Sequence, residues 1–397
     1  MSGTSCDGVD AVAASFAILD RGVEWHVRAF ECFPYEAAMR SALLNLCQPA
    51  APISEALLAG VVLGEKFAEA AFTVANAAGL EISDIDFIAS HGHTIWHQPT
   101  AHEFAGNTAA GTLQIGEPAV IAARTGRPAI SNFRTADVAL GGQGAPLAPV
   151  VDYELFASDS CTRAVLNLGG IANVTVIPAG ANVDEVVAFD IGPANMVLDW
   201  LAERFTSGEL RCDKDGHLAL AGRADAETVA AELDAAWFRK APPKSTGREL
   251  FGNCWCERFL DACGRRHLSS ADTMATAAAI TVGAVSDAFA SFVVTAVPVS
   301  EVIVCGGGVH NPALMDGLKQ ALAPALVSPH EAYGVSSDAK EALAFAMLGL
   351  RAVRGLPTAL PRVTGAASSS IGGVFSVPPA DGLALRRLVD KLAPLGA

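Results

Sequence analysis

The chain is predicted to be an α/β protein, and three observations lead there. Short apolar runs feed glycine-rich turns at four places: IDFIAS (85–90) into HGHT, RAVLNL (163–168) into GGIAN, EVVAF (185–189) into DIGPAN, and EVIV (301–304) into CGGG. Segments with apolar residues at three-to-four spacing separate these runs, which is the helical period. The glycines fall at strand ends, where open α/β sheets bind ligands.

Taken in order, helices are expected at 53–78, 194–206, 225–238, 272–292 and 338–353. The first, ISEALLAGVVLGEKFAEAAFTVANAA, carries one continuous apolar stripe. A change of lobe is expected near residue 130, after RTGRPAI and before the glycine-rich 141–149. One lobe would then comprise 1–130 with about 367–397, and the other 131–366. The stretch 276–297 has the hydropathy of a membrane span, but Asp287 sits in its middle. A charge there costs about 2.5–3.5 kcal/mol in a bilayer, so a helix buried in a protein core is the simpler reading.

Composition narrows the function classes. Lys plus Arg number 27 against 42 Asp plus Glu, a net charge of −15, which argues against a phosphate-backbone binder. The chain is 51% apolar and 17% charged, the reverse of a disordered balance. Nine cysteines lie at irregular spacing and only Cys254 and Cys256 are close together, so no zinc set is expected and the thiols read as reduced. No charged region followed by an apolar run opens the chain, and a cytoplasmic protein is expected.

Three loops carry chemistry-bearing residues. In MSGTSCDGVD (1–10) small residues surround Asp7; its backbone N–H groups can cradle phosphate and a carboxylate can hold a Mg²⁺ water, though such strings also form plain turns. In FDIGPANMVLD (189–199) Asp190 is expected to end a strand, with Gly192 and Pro193 opening a helix. It reads either as a carboxylate projecting into a cleft or as a helix cap. In CGGGVHNPALM (305–315) three glycines let a ligand lie on the backbone, and Asn311 and Pro312 start a helix. Two phosphate loops, each with an Asp, and a glycine-rich adenosine loop together predict a two-lobed, actin-like nucleotide-binding fold with a central interdomain cleft.

The detailed wording resembles the anhydro-N-acetylmuramic acid kinase family. The matching strings, in the family's order, are MSGTSCDGVD (1–10), SHGHTIWHQP (90–99), TLQIGEPAVIA (112–122), NFRTADVALGGQGAPLAP (132–149), LNLGGIANVT (166–175), FDIGPANMVLD (189–199), DKDG (213–216), PPKSTGRELF (242–251), CGGGVHNPALM (305–315), YGVSSDAKEALAFA (333–346) and VTGA (363–366). The resemblance implies a kinase of peptidoglycan turnover. With ATP and Mg²⁺ such an enzyme opens 1,6-anhydro-N-acetylmuramic acid and phosphorylates O6. It implies Asp190 as the catalytic base and a nucleotide segment of Gly3, Thr4, Ser5, Cys6, Asp7, Gly8, Val9 and Asp10, with Asp7 orienting Mg²⁺ through water. Gly169 and Gly170 belong to a nucleotide loop, and Gly306, Gly307, Gly308 and Asn311 to the adenosine loop. His91, Thr94, Arg134 and Glu341 border the sugar, and an Arg there can hold the lactyl carboxylate bidentately. His93 and His97 are candidates of the same kind; a structural hydrogen bond is the alternative for all three histidines, and a solvated helix charge for Glu341. Lys244, Ser245 and Thr246 read either as a loop near the nucleotide or as a Pro-braced turn. The resemblance also implies a homodimer, with no nucleic-acid or membrane partner.

Departures from the family wording are local. The family carries a short strand ahead of its MSGTS string; here that string opens the chain. His93 replaces a usual Gln and Asn132 a usual Asp, while Ile191 and Ala194 stand beside Asp190. Ala194 has a Cβ, so its φ is expected to stay negative. Rival readings are a kinase for another anhydro sugar such as levoglucosan, a non-catalytic actin-like nucleotide-binding protein, and a hydrolase without phosphoryl transfer.

Overall fold

A computed structural model describes residues 1–3, 6–19, 22–293, 298–336 and 338–392. The chain forms two compact units, 1–154 with 338–397 and 155–337. Each is α/β, in keeping with the alternation of strand, glycine turn and helix.

The first unit opens with an antiparallel pair, β1 (Gly8–Ile18) and β2 (Val23–Pro34). Gly8 is required there, because a Cβ would stand 2.5 Å from the Phe33 carbonyl oxygen. Further on, β3 (Ile88–Ala89) runs parallel to β6 (Ala129–Ser131), which pairs on its other side with the strand Val374–Ser376. Between them β4 (His93–Phe104) and β5 (Asn107–Ile115) form a hairpin. The helix Ile53–Ala77 covers β1, burying Leu63, Phe67, Ala70 and Val74, while Ile53, Leu57, Leu58, Val61 and Val62 stay exposed.

The first unit continues well past residue 130. The strand β6 is held on both edges, and the helix 148–156 is tied back by two ion pairs, Lys340 to Asp152 at 3.1 Å and Arg351 to Glu154, the latter with both side chains buried. Buried Asp137 accepts from the Gly144 N–H and the Thr364 hydroxyl, each at 2.7 Å, and so joins GGQGAP to VTGA. A Cβ on Gly142 would fall 2.2 Å from that carboxylate.

Met1 and Ser2 form a short extended piece in this unit. Met1 exchanges backbone bonds with Asp10 at 2.8 and 2.9 Å, and the Ser2 N–H donates to Gly92 at 3.3 Å. Beside them lies a cavity of about 590 Å³, bordered by β1 and β3 and lined by side chains that include Phe67, Val74, Phe87, Ile88 and Phe345.

The second unit is built on a five-stranded mixed sheet. Its strands are β7 (Arg163–Leu168), β8 (Ile171–Ile177), β9 (Val187–Pro193), β10 (Glu301–Cys305) and β11 (Leu326–Pro329), in the spatial order β11, β10, β7, β8, β9. The first three form antiparallel turns, whereas β10 joins β7 in parallel after a long helical excursion. The helix Asn195–Phe205 turns Val197, Leu198, Leu201 and Ala202 inward. The apolar segment read against a membrane span is the helix Ser270–Ala288, with Met274, Ala278, Ile280, Ala284 and Val285 in the core; 294–297 lie outside the described residues. By length and composition Ser270–Val293 passes for a span, yet 56% of it is buried.

The helix expected at 225–238 is two pieces, Ala226–Leu233 and Ala236–Arg239. The break at Asp234 and Ala235 lets Trp237 reach the Ile191 carbonyl at 2.8 Å and Phe238 pack under Gly192.

Candidate active site

The site residues divide into two sets, one in each unit. In the second unit Asp190 does not end its strand as expected, since β9 runs on to Pro193. Asp190 pairs with Asn173 beside a register shift at Ala172, so Ile191 is an extra residue in the ladder and turns its side chain into the core. The next helix begins at Asn195 with Ala194 as its cap, so Asp190 is not a helix cap. Ala194 keeps a negative φ of −136°.

One loop, 55 residues downstream, surrounds the Asp190 carboxylate. The Ser245 hydroxyl and the Thr246 N–H both donate to Oδ2, at 3.0 and 2.9 Å. The Asp190 N–H in turn donates to the Lys244 carbonyl at 3.0 Å. No hydrogen bond to Oδ1 is made among the described residues, so that oxygen retains its full accepting capacity. Burial pushes the carboxyl up from its ordinary value, against the two donors that lower it; Glu249 raises it further and Lys244 lowers it. An anchored oxygen beside an open one suits a general base. Ser245 and Thr246 thus belong to Asp190, a partnership that the PPKSTGRE string alone could not assign.

The glycines of this unit pack at the end of β7. Gly169 and Gly170 offer their carbonyls to the N–H groups of Ala194, Asn195 and Met196 at 3.0–3.2 Å, satisfying donors that open the helix Asn195–Phe205. Gly306 adopts φ +81°, and a Cβ there would lie 2.6 Å from Asn167 Oδ1 and 2.8 Å from the Leu168 backbone. Gly308 is buried under Leu168, Gly307 is exposed, and Asn311 caps the helix Pro312–Ala321 by accepting from Ala313 at 3.0 Å. The side chain of Asn311 is therefore engaged structurally, while the exposed backbone at Gly307 offers a surface for a flat ligand.

In the first unit Thr4 and Ser5 lie outside the described residues. Cys6 has φ +53° and is 1% exposed, with its Sγ 3.6 Å from His93 Nε2; Val9 is also in the core. These two offer only main chain to a ligand. Asp7 is exposed and Asp10 half-buried. Among the described residues no group of three or more His, Cys, Asp or Glu side chains forms a metal cage. An exposed carboxylate such as that of Asp7 nonetheless suits Mg²⁺, which keeps most of its waters and takes one or two carboxylates.

His91 is buried, and burial together with Arg134 pushes its pKa down to about 3, so it is neutral. Its Nδ1 lies 3.2 Å from the Gly92 carbonyl and its Nε2 accepts from Arg134 Nε at 3.1 Å, a pairing that selects the Nδ1–H tautomer. Arg134 also donates through Nη1 to Gly144 at 2.8 Å, leaving Nη2 as the edge for a ligand. Thr94 accepts from Gln114 at 3.2 Å. Glu341 sits in the first turn of the helix Lys340–Val353 and is exposed as a residue. Desolvation and then the Asp10 charge push its carboxyl up, opposed by Lys340, the Met1 ammonium and Arg134. His93 is a structural residue, wholly buried against Ser2 at 3.0 Å, and His97 bonds Thr112 on the exposed hairpin.

Residues 1–377 match the family model described as Anhydro-N-acetylmuramic acid kinase. A protein of that name from Salinibacter ruber is 44% identical over 95% of this chain and 95% of its own length. One from Caldanaerobacter subterraneus is 41% identical over 95% and 96%, and one from Clostridioides difficile 37% over 96% and 98%. The family model and the near-complete overlap with these relatives agree, and the chain belongs to the anhydro-N-acetylmuramic acid kinase family.

Proposed function

We propose that this protein uses ATP to open 1,6-anhydro-N-acetylmuramic acid and phosphorylate its O6, giving N-acetylmuramic acid 6-phosphate and ADP. The substrate class follows from the family; the observation that supports the chemistry is Asp190, with Oδ2 anchored by two donors and Oδ1 unengaged. Water adds to C1 as Asp190 Oδ1 takes its proton. The C1–O6 bond breaks, and O6 attacks the γ-phosphorus as ADP departs. The phosphoryl group thereby plays the part that an acid plays in ordinary inverting glycoside hydrolysis. Positioning and charge neutralisation supply most of the phosphoryl step.

Within the first unit Arg134 Nη2 would face the lactyl carboxylate, with His91, Thr94 and Glu341 on the polar edge of the sugar. The backbone of Gly3–Asp10 would hold phosphates. Asp7 would hold Mg²⁺ through water, and the ion supplies neutralisation of β- and γ-phosphate charge when bound. In the second unit the exposed Gly307 backbone would carry the adenosine, beside Gly169 and Gly170. A cytoplasmic homodimer completes the reading.

The test is ADP release by the purified chain with Mg²⁺-ATP and the anhydro sugar, with products identified by mass. Sugar-dependent release giving the 6-phosphate is expected, and removal of the lactyl group should abolish it. Equal turnover of levoglucosan would move the substrate assignment to another anhydro sugar. ATP binding without turnover of any sugar would leave a nucleotide-binding protein.

A further inference from the structure

Lys244 is only 6% exposed, unusual for a lysine, whose long stem normally carries the ammonium to water. Its Nζ instead lies among three aromatic rings, 5.1 Å from the centres of Trp237 and Phe292 and 5.9 Å from that of Phe189. Among the described residues it makes one hydrogen bond, to the Trp237 carbonyl at 3.3 Å. Trp237 donates its indole N–H to Ile191, the residue after Asp190. The Lys244 carbonyl receives the Asp190 N–H, and the two residues after Lys244 hold Asp190 Oδ2. A closed circuit therefore runs from the caged ammonium through Trp237 and β9 to the carboxylate and back.

We propose that Lys244 is a positioning residue for Asp190: its caged ammonium pins the clasp loop and sets a fixed positive charge within electrostatic reach of the base. The proposal rests on Asp190 being that base. The charged groups that act on Asp190 are Glu249, which favours the protonated acid, and Lys244, which favours the carboxylate; burial favours the acid. Lys244 in turn feels Lys240 and Asp190, and burial opposes its charge. Removing the ammonium leaves only the two Oδ2 donors to favour the carboxylate against burial and Glu249, so protonation extends to higher pH.

The experiment is the pH profile of kcat/KM for the full chain, Lys244→Met and Lys244→Arg, with Mg²⁺-ATP and the anhydro sugar. In Lys244→Met the acidic limb is expected to move up by about half a pH unit or more, with kcat reduced at neutral pH and recovering at higher pH. Lys244→Arg should keep the limb where the unaltered chain has it. A purely structural lysine would lower kcat without moving the limb, so an unmoved limb in Lys244→Met overturns the proposal, as does an equal shift in Lys244→Arg. Should Lys244→Met fail to fold by circular dichroism, Lys244→Gln is read instead. It keeps a donor for the Trp237 carbonyl but carries no charge, and is expected to shift the limb the same way; no movement overturns the proposal. Turnover retained in Asp190→Asn marks failure of the base assignment itself, whereas a dead Asp190→Asn with an unmoved Lys244→Met limb marks failure of this inference alone.

Discussion

Asp190 has two oxygens in different surroundings, one bonded twice and one open, and its chemistry depends on the open one. As a base it acts only when ionised, and burial has raised its pKa. Activity should therefore fall as pH drops through that raised value, at higher pH than an ordinary aspartate would give. The stability sign is opposite. A carboxyl whose folded pKa lies above its unfolded one contributes stability below the unfolded pKa and loses it as pH rises through the folded pKa. At neutral pH the buried carboxylate thus costs stability. Asp190→Asn is expected to lower kcat by about 10²–10⁴-fold, leave ATP affinity unchanged, and raise Tm by roughly 2 °C. Calorimetry beside ADP-release assays checks all three, and full turnover in that variant would sink the base assignment. The string singles out Asp190 as the proposed base, but its partners were not legible there, because Ser245 and Thr246 are brought to it only by the clasp of 237–246 around β9.

At the scale of elements, long periodic helices were readable nearly to the residue: 53–78 is Ile53–Ala77, and 338–353 is Lys340–Val353. The strand pairs β1–β2 and β4–β5 were not, since their stability lies in cross-strand partners and not in local periodicity. Glycine at 306 is required by a left-handed φ and by contact with β7. Gly306→Ala should cost about 1–3 kcal/mol and raise the KM for ATP; unchanged melting and KM would refute the contact argument.

At the scale of the whole molecule, the acidic charge of −15 predicts weak attraction to nucleic acid and ready solubility near neutral pH. The proposed homodimer predicts a mass by light scattering of about twice 40.8 kDa, and a monomer at micromolar concentration would remove that part of the reading. The sequence reading placed a change of lobe near residue 130, whereas the first unit reaches Glu154. The two ion pairs to the helix Lys340–Val353 that hold 148–156 in place join residues nearly 200 apart, a separation at which no local pattern operates.

By itself the sequence determined the α/β class, the positions of the long helices, the glycine loops and the family. These depend on local periodicity and on residue types at short spacing. Only the tertiary structure decided that Asp190 sits at a bulge with one oxygen anchored, that Arg134 selects the tautomer of His91, and that Lys244 lies caged by three rings. Each of these includes a contact between residues more than forty positions apart, and it is the burial of those contacts together that sets their charge and hydrogen bonding.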